Sequence, residues 1–296
     1  MNVDVGVCTF RRAAVAETLV SLGDQRLPDG VVMRVVVADN DETNEAEGRI
    51  RAGAEAAGVA LTYVHAPSRN ISLARNACLD AASGDFLAFI DDDETATPGW
   101  LAALLAEAGR GGWDAVLGPV KAVYEAEAPN WLVAGDFHST APVQVDGKIL
   151  KGYAGNVLIR MDAVRSRGLR FNLALGRQGG EDDDFFYRLT DTGGTIGYAP
   201  DALAYEPVPA GRASLQWLLK RSFRTGQTHG ARLEARHHGP AKIAQIGVAG
   251  AKSGVCLAGA AASVLSPARR SRWLVRGSMH AGVVARLAGL KELQLY

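Results

Sequence analysis

Phe86-Leu87-Ala88-Phe89-Ile90-Asp91-Asp92-Asp93 is the stretch that decides the fold. Its uninterrupted apolar run predicts a strand over Asp85 to Ile90 that is covered on both faces, as in a parallel sheet flanked by helices. Three aspartates end that strand. Carboxylates crowded at a strand end repel one another unless a cation or a substrate compensates. Asp91 and Asp93, with one residue between them, are placed to supply hard oxygen ligands to Mg²⁺ or Mn²⁺, with substrate phosphates completing the shell. A solvated acidic turn capping the next helix is the plainer reading. It is disfavoured because the C-terminal ends of strands in α/β sheets are where ligands bind.

A second acidic cluster, Glu181-Asp182-Asp183-Asp184, follows Gly179-Gly180 and opens a predicted helix, where the dipole favours negative charge. Asp182 has acids on both sides, and such crowding raises a carboxylate pKa toward the range of a general base. Metal ligands at a strand end, facing a base at a helix start, suit a reaction in which a diphosphate leaves and a hydroxyl attacks. Alone, the second cluster would read as helix capping.

Outward from these clusters the hydrophobic period alternates as in βαβ units. Strands are predicted at Val3 to Cys8, Val31 to Ala38 and Leu61 to His65, and helices at Ala13 to Leu22, Glu45 to Ala57 and Leu73 to Ala82. A helix from Pro98 to Ala108 has Thr97 as its candidate cap. Val116 to Val123 and Tyr153 to Arg160 read as strands, and residues 124–150 as loops and a hairpin over a pocket. The Glu181 helix runs to Asp191, and short strands at Thr195 to Tyr198 and Ala202 to Tyr205 finish an α/β sheet. Other strand ends carry polar residues at the same edge: Thr9-Phe10-Arg11-Arg12 after the first and Asp39-Asn40-Asp41-Glu42 after the second. Arg75, one turn into its helix, is placed to pair with a phosphate or with Asp91.

The formal charge of zero conceals a split. Residues 207–296 hold 14 Lys and Arg against Glu234 and Glu292, a balance of +12, which leaves −12 on residues 1–206. With Pro207 and Pro209 marking a change of composition, the chain divides into a catalytic domain, 1–206, and a basic helical segment, 207–296. Helices are predicted there at Ser214 to Glu234, Ile243 to Leu265 and Arg270 to Leu290. The middle one is long enough to span a bilayer, but Gln245, Lys252 and its scarcity of large apolar residues favour a helix lying on a membrane or docked on the body. The basic charge with Trp217 and Trp273 predicts peripheral contact with an anionic membrane. No aromatic platform or motif supports nucleic-acid binding. Three scattered cysteines are no disulfide framework, and the N-terminus lacks an export signal, so a cytoplasmic protein is expected.

In their order and spacing Cys8-Thr9-Phe10-Arg11-Arg12, Val37 to Asp41, Asn70 to Asn76, Phe89 to Asp93, Gly155-Asn156-Val157-Leu158 and Gly180-Glu181-Asp182 resemble the inverting family 2 glycosyltransferases of GT-A fold, particularly the succinoglycan type of bacterial exopolysaccharide synthesis. The resemblance spans residues 3 to about 228. It implies a Rossmann-like, mostly parallel sheet flanked by helices, and a metal-dependent transfer from a nucleotide-sugar donor, with UDP-glucose as default, to a glycan or polyprenyl-diphosphate-linked acceptor. By the same resemblance Thr9, Arg11, Asp39, Asp41, Arg75, Asp91 and Asp92 bind nucleotide, Asp91 and Asp93 hold metal, Glu181 helps bind acceptor and Asp182 is the base. Two departures stand out: Asp39-Asn40-Asp41 replaces the commoner Asp-Asp-Gly-Ser, and the triple aspartate leaves Asp91/Asp93 and Asp92/Asp93 both open as the ligand pair. A nucleotidyltransferase or a non-catalytic component of a polysaccharide assembly complex are the alternatives. The first is disfavoured because Thr9 to Arg12 is not a Gly-rich phosphate loop, the second because it needs no Glu181-Asp182.

Overall fold

The computed structural model describes residues 1–293 and divides into two compact units, Met1–Val123 with Ser139–Pro207, and Tyr124–His138 with Val208 onward. In chain order the elements are β1 (Asn2–Thr9), α1 (Val15–Gly23), β2 (Val32–Asp39), α2 (Glu47–Ala56), β3 (Leu61–His65), α3 (Ile71–Ala81), β4 (Phe86–Asp91), β5 (Thr95–Ala96), α4 (Trp100–Gly111), β6 (Ala115–Leu117), β7 (Val120–Tyr124), α5 (Asn130–Gly135), β8 (Gln144–Val145) and β9 (Lys148–Ile149). They continue with β10 (Asn156–Arg160), α6 (Met161–Arg167), α7 (Glu181–Asp191), β11 (Ile196–Tyr198), β12 (Ala204–Val208), α8 (Leu215–Arg236), α9 (Pro240–Ala262) and α10 (Pro267–Leu287).

The first unit is built on a sheet with strand order β11-β6-β10-β4-β1-β2-β3 among the described residues. β4, β1, β2 and β3 run parallel, while β10 is antiparallel to β4 and β6. Side chains alternate across the sheet, which is why the apolar run at Phe86 must be covered twice. Phe86, Ala88 and Ile90 join Val3, Val5 and Val7 against Leu19, Trp100 and Leu104. Leu87 and Phe89 face the other way, against Cys78, Phe171 and Phe185. Register then gathers the polar strand ends, because Thr9 pairs with Asp39 and Cys8 with Asp91.

Five local expectations are corrected. The strand predicted at Ala202 to Tyr205 does not finish this sheet: it is β12, which pairs antiparallel with β5 in a separate sheet of order β5-β12-β7. The predicted strand Val116 to Val123 is two, β6 and β7, because Pro119 offers no N–H and Gly118 lies where a Cβ would sit 2.5 Å from the Ala202 carbonyl. The strand predicted from Tyr153 begins only at Asn156. Thr97 does not cap α4: its hydroxyl donates to the Leu203 carbonyl at 3.1 Å, and Gly99 precedes the helix without a side-chain cap. The stretch 124–150 contains α5 as well as the β8–β9 hairpin, whose Asp146 and Gly147 have φ of 50° and 74°, the positive values that a two-residue turn of this kind requires.

The second unit comprises α5 and the α8–α10 helices. Ser214 caps α8, its Oγ accepting from the Trp217 N–H at 3.2 Å. α8 and α10 approach so closely that a Cβ at Gly226 would lie 1.9 Å from the Met279 carbonyl oxygen, and one at Gly282 2.0 Å from that of Phe223. Gly282→Ala is therefore expected to destabilise by about 1–3 kcal/mol through overpacking. Gly250→Ala, in a helix position with nothing within 4 Å, should instead stabilise by about 0.5–1 kcal/mol. Thermal melts of the two variants check the pair. α9, 23 residues with a mean hydropathy of 1.3 over its apolar window, is long and apolar enough to cross a membrane by length and composition.

Candidate active site

The polar edge of the sheet is held together mainly by side chains that the register brings into reach. Thr9 Oγ1 donates to Asp92 Oδ2 at 2.7 Å and Arg12 Nη1 donates to Asp92 Oδ1 at 3.1 Å. Arg12 also pairs with Asp93. Both Asp92 oxygens thus have partners, and burial pushes its carboxyl up to about 6 even though Arg12 and Thr9 pull the other way. Asp91 keeps 44% of its side-chain surface open, against 8% for Asp92 and 20% for Asp93. Asp91 and Asp93 are the more accessible carboxylates of the three.

At the end of β2, Asp39 is fully buried. It accepts from the Tyr63 hydroxyl at 2.8 Å and from the Asp41 N–H at 3.1 Å. Arg11, with φ of 56°, donates from Nε to Asp41 Oδ2 at 2.8 Å and holds that carboxyl below its usual range. Asn40 ties this strand end to α3: its amide donates to the Ala66 carbonyl at 2.6 Å and its Oδ1 accepts from the Asn70 N–H at 2.5 Å. Asn70 in turn caps α3, accepting from the Leu73 N–H.

Arg75, one turn into α3, connects the two acidic clusters. Its Nη1 donates to Glu181 Oε1 at 2.5 Å, its Nη2 lies 3.7 Å from Asp91 Oδ1, and its guanidinium sits 5.5 Å from the centre of the Phe171 ring. Expected at a phosphate or at Asp91, it is buried and its principal partner is Glu181. Burial opposes the Arg75 charge, but Glu181, Asp182 and Asp91 outweigh it and raise its pKa. Glu181 Oε2 is the buried side-chain polar atom with no hydrogen-bond partner among the described residues. Burial and the neighbouring Asp182 push Glu181 up to about 7, against the pull of Arg75.

α7 presents its acids differently by position. Gly179 and Gly180 adopt φ of 84° and 91°, a left-handed entry that favours glycine. Asp183 pairs with Lys151 at 3.3 Å and Asp184 with Arg188 at 2.9 Å. Asp182 accepts from the Ala154 N–H at 3.4 Å, which sets it beside the loop entering β10. Behind Asp91 lies Glu94, buried, accepting from the Asp91 N–H at 3.2 Å and pushed well up by burial and by Asp91. Gly155 fills the remaining gap, since a Cβ there would meet Glu94 Oε1 at 2.8 Å and Asp91 Oδ2 at 3.1 Å. Glu94 and Tyr63 are site residues that the sequence does not single out, while Arg12, expected only as one cation of the strand-end motif, instead holds Asp92 and Asp93. Their signals were slight: Glu94 merely extends an acidic run, and Tyr63 lies inside a short strand.

No three His, Cys, Asp or Glu side chains converge as a ready-made metal cage among the described residues. The accessible pair Asp91 and Asp93 nonetheless fits a hard divalent cation of the kind that takes one or two carboxylates and completes its shell with phosphates and water.

A mostly parallel sheet flanked by helices, carrying acids at the ends of its central strands, is the architecture of the GT-A glycosyltransferases. The chain belongs to glycosyl transferase family 2, whose sequence profile matches residues 4–168. Succinoglycan biosynthesis protein ExoM of Rhizobium meliloti (strain 1021) is 49% identical over 296 residues, an alignment that covers 100% of this chain and 96% of that protein. The pre-mycofactocin glycosyltransferase of Mycobacterium tuberculosis (strain CDC 1551 / Oshkosh) is 29% identical over 226 residues, 74% of this chain and 45% of that protein. Among solved structures, mannosyltransferase PcManGT from Pyrobaculum calidifontis, in complex with GDP-Man and Mn²⁺, is similar with a TM-score of 0.65 at 20% identity over 96% of this chain and 86% of that one. S. aureus TarS 1-349 in complex with UDP-GlcNAc gives 0.57 at 17% identity, over 98% and 93% of the two chains. At these identities the two structures speak to the fold.

Proposed function

We propose that the protein transfers a sugar, with inversion, from a nucleotide-sugar donor to a hydroxyl of a glycan or polyprenyl-diphosphate-linked acceptor in exopolysaccharide biosynthesis. The observation that carries this reading is the Arg75 bridge, which holds Asp91 at the end of β4 and Glu181 at the start of α7 in one site. The name of the Rhizobium meliloti relative supports a succinoglycan-type product. UDP-hexose, with glucose as the default, remains the donor proposed for this chain.

In the proposed reaction Asp182 takes the proton of the acceptor hydroxyl, whose oxygen forms a bond to the anomeric carbon as the bond to the phosphate oxygen breaks and nucleoside diphosphate departs. Glu181 orients the acceptor. Thr9, Arg11, Asp39, Asp41, Arg75, Asp91 and Asp92 shape the nucleotide side: Asp39, buried under Tyr63, fixes the turn that carries Asp41 and Arg11, and Thr9 and Asp92 form a bonded pair that fixes the loop after β1. Asp91 and Asp93 would hold Mg²⁺ or Mn²⁺, which supplies charge neutralisation for the leaving diphosphate. Support for a divalent ion comes from the Mn²⁺ recorded with the mannosyltransferase. The domain boundary proposed here lies near residue 207. The second unit is proposed to work at the cytoplasmic face of a membrane, where a lipid-linked acceptor would reside.

Nucleoside diphosphate release from a panel of nucleotide sugars, with Mn²⁺ or Mg²⁺ and then with chelator, tests the reading. Release from one donor is expected, lost with chelator and lowered by about 10²-fold or more in Asp93→Ala. Undiminished release in chelator would overturn the metal assignment.

A further inference from the structure

α9 is inside out for a helix of a water-soluble unit. Two of its polar residues point at neighbouring helices: Ser253 Oγ donates to the Gly277 carbonyl at 3.2 Å, and Lys242 pairs with Glu234 at 2.7 Å. Small residues let it lie along α10, with Gly277 against Cys256 and Gly259 against the Trp273 ring. Ala249 packs with Val283 and Leu287 at the far end of that contact. The outward arc, by contrast, exposes Ile243, Val248, Val255 and Leu257, and the turn after α9 exposes Val264 and Leu265, each by at least 49% and Leu265 by 96%. Ala244, Gly247, Gly250, Ala251, Gly254 and Ala258 fill the same arc and are also exposed. An apolar face of this extent on a helix surface marks an interaction site.

Charge says what covers it. Lys252 stands at the margin of the arc, and with Arg276 it flanks His280 on α10 closely enough that burial and the two cations together hold that imidazole below its usual value. Exposed Arg269 and Arg270 follow the exposed Val264 and Leu265 at the α9–α10 turn. The residues from 207 onward carry a balance of +12. An apolar face rimmed by cations matches an anionic bilayer surface, where apolar insertion and basic charge act as two reinforcing signals. A spanning orientation fits poorly, because α10 lies alongside α9 and would carry Arg276 into the hydrocarbon together with Lys252, a placement that is costly for such charges.

Resting on the peripheral reading given under the proposed function, we infer that α9 lies flat in the interface of an anionic membrane, its Ile243 to Leu257 face and the Val264-Leu265 turn inserted and Lys252, Arg269, Arg270 and Arg276 on the lipid phosphates. Flotation of the full chain with phosphatidylcholine vesicles, with and without phosphatidylglycerol, tests it. Wild type should float with the phosphatidylglycerol vesicles. V255E/L257E should bind about tenfold or more weakly, with unchanged melting and unchanged donor hydrolysis because both side chains are exposed. K252E/R276E should lose only the preference for anionic lipid.

Equal flotation of wild type and V255E/L257E would overturn the face assignment while leaving peripheral binding in place. Failure of the wild type to float would overturn both. In that case light scattering that shows a concentration-dependent dimer, lost in V255E/L257E, would assign the face to a second copy of this chain. Resistance to alkaline carbonate extraction from vesicles would replace the flat orientation with a spanning one.

Discussion

Asp182→Asn is expected to lower transfer by about 10²–10⁴-fold, the range that a positioned general base contributes, with nucleoside diphosphate binding retained. Asparagine keeps the size of the side chain and can still accept from the Ala154 N–H, the contact that positions Asp182. It cannot take a proton. The loss should therefore fall on kcat, with the donor KM little changed. Asp183→Asn is the control. Asp183 is engaged with Lys151 at 3.3 Å in a partly exposed pair, the kind worth about 0–1 kcal/mol, so transfer should change by only a few fold. Nucleoside diphosphate release with acceptor present gives the rates, and calorimetry with the nucleoside diphosphate gives the binding. Should Asp182→Asn transfer normally while Asp183→Asn does not, the base is the wrong residue of the run.

The central strands were legible because burial on both faces leaves a plain mark, apolar residues without interruption, and because acids directly after such runs have few structural uses. α7 was legible to the residue, since Gly179-Gly180 and Gly193-Gly194 bracket it. What the chain does not display is which polar groups meet. Glu181 and Arg75 are far apart in sequence, and nothing in either segment names the other; only the fold, which brings the Arg75 side chain of α3 to the first residue of α7, does. Glu94 looks like one more solvated acid and is instead buried behind Asp91. Asp92 looks equivalent to its neighbours, yet Thr9 and Arg12 take both its oxygens. α9 was readable as long and apolar, but the side turned to water depends on where α10 lies, which no periodicity in Ala and Gly encodes.

Arg75→Met carries the other large expectation, and its sign depends on pH. The Arg75 and Glu181 side chains are 7% and 8% exposed, and removing one member of such a pair costs about 3–5 kcal/mol because the remaining charge is stranded. In a chain of this size that corresponds to a fall in melting temperature of about 6–20 °C. Glu181, however, has an exit. Its carboxyl already sits at about 7 instead of the ordinary 4.5, so the native state holds a proton that the unfolded chain releases at lower pH. Between those values the native state binds more protons, stability declines as pH rises, and the decline is complete above the native value. Arg75 opposes this upward shift for both Glu181 and Asp91. Without Arg75 both carboxyls must move higher and the declining window must extend upward. The deficit of Arg75→Met relative to wild type should thus be small near pH 5, where Glu181 is mostly protonated in either protein, and should grow through pH 7 to 8. Adding Glu181→Gln should remove most of that growth, because the amide has no charge to strand, although transfer would not return. Melting curves of wild type and the two variants against pH decide it: a deficit of equal size at pH 5 and pH 8 would show that Arg75 acts by packing on Phe171 and not by holding the Glu181 charge.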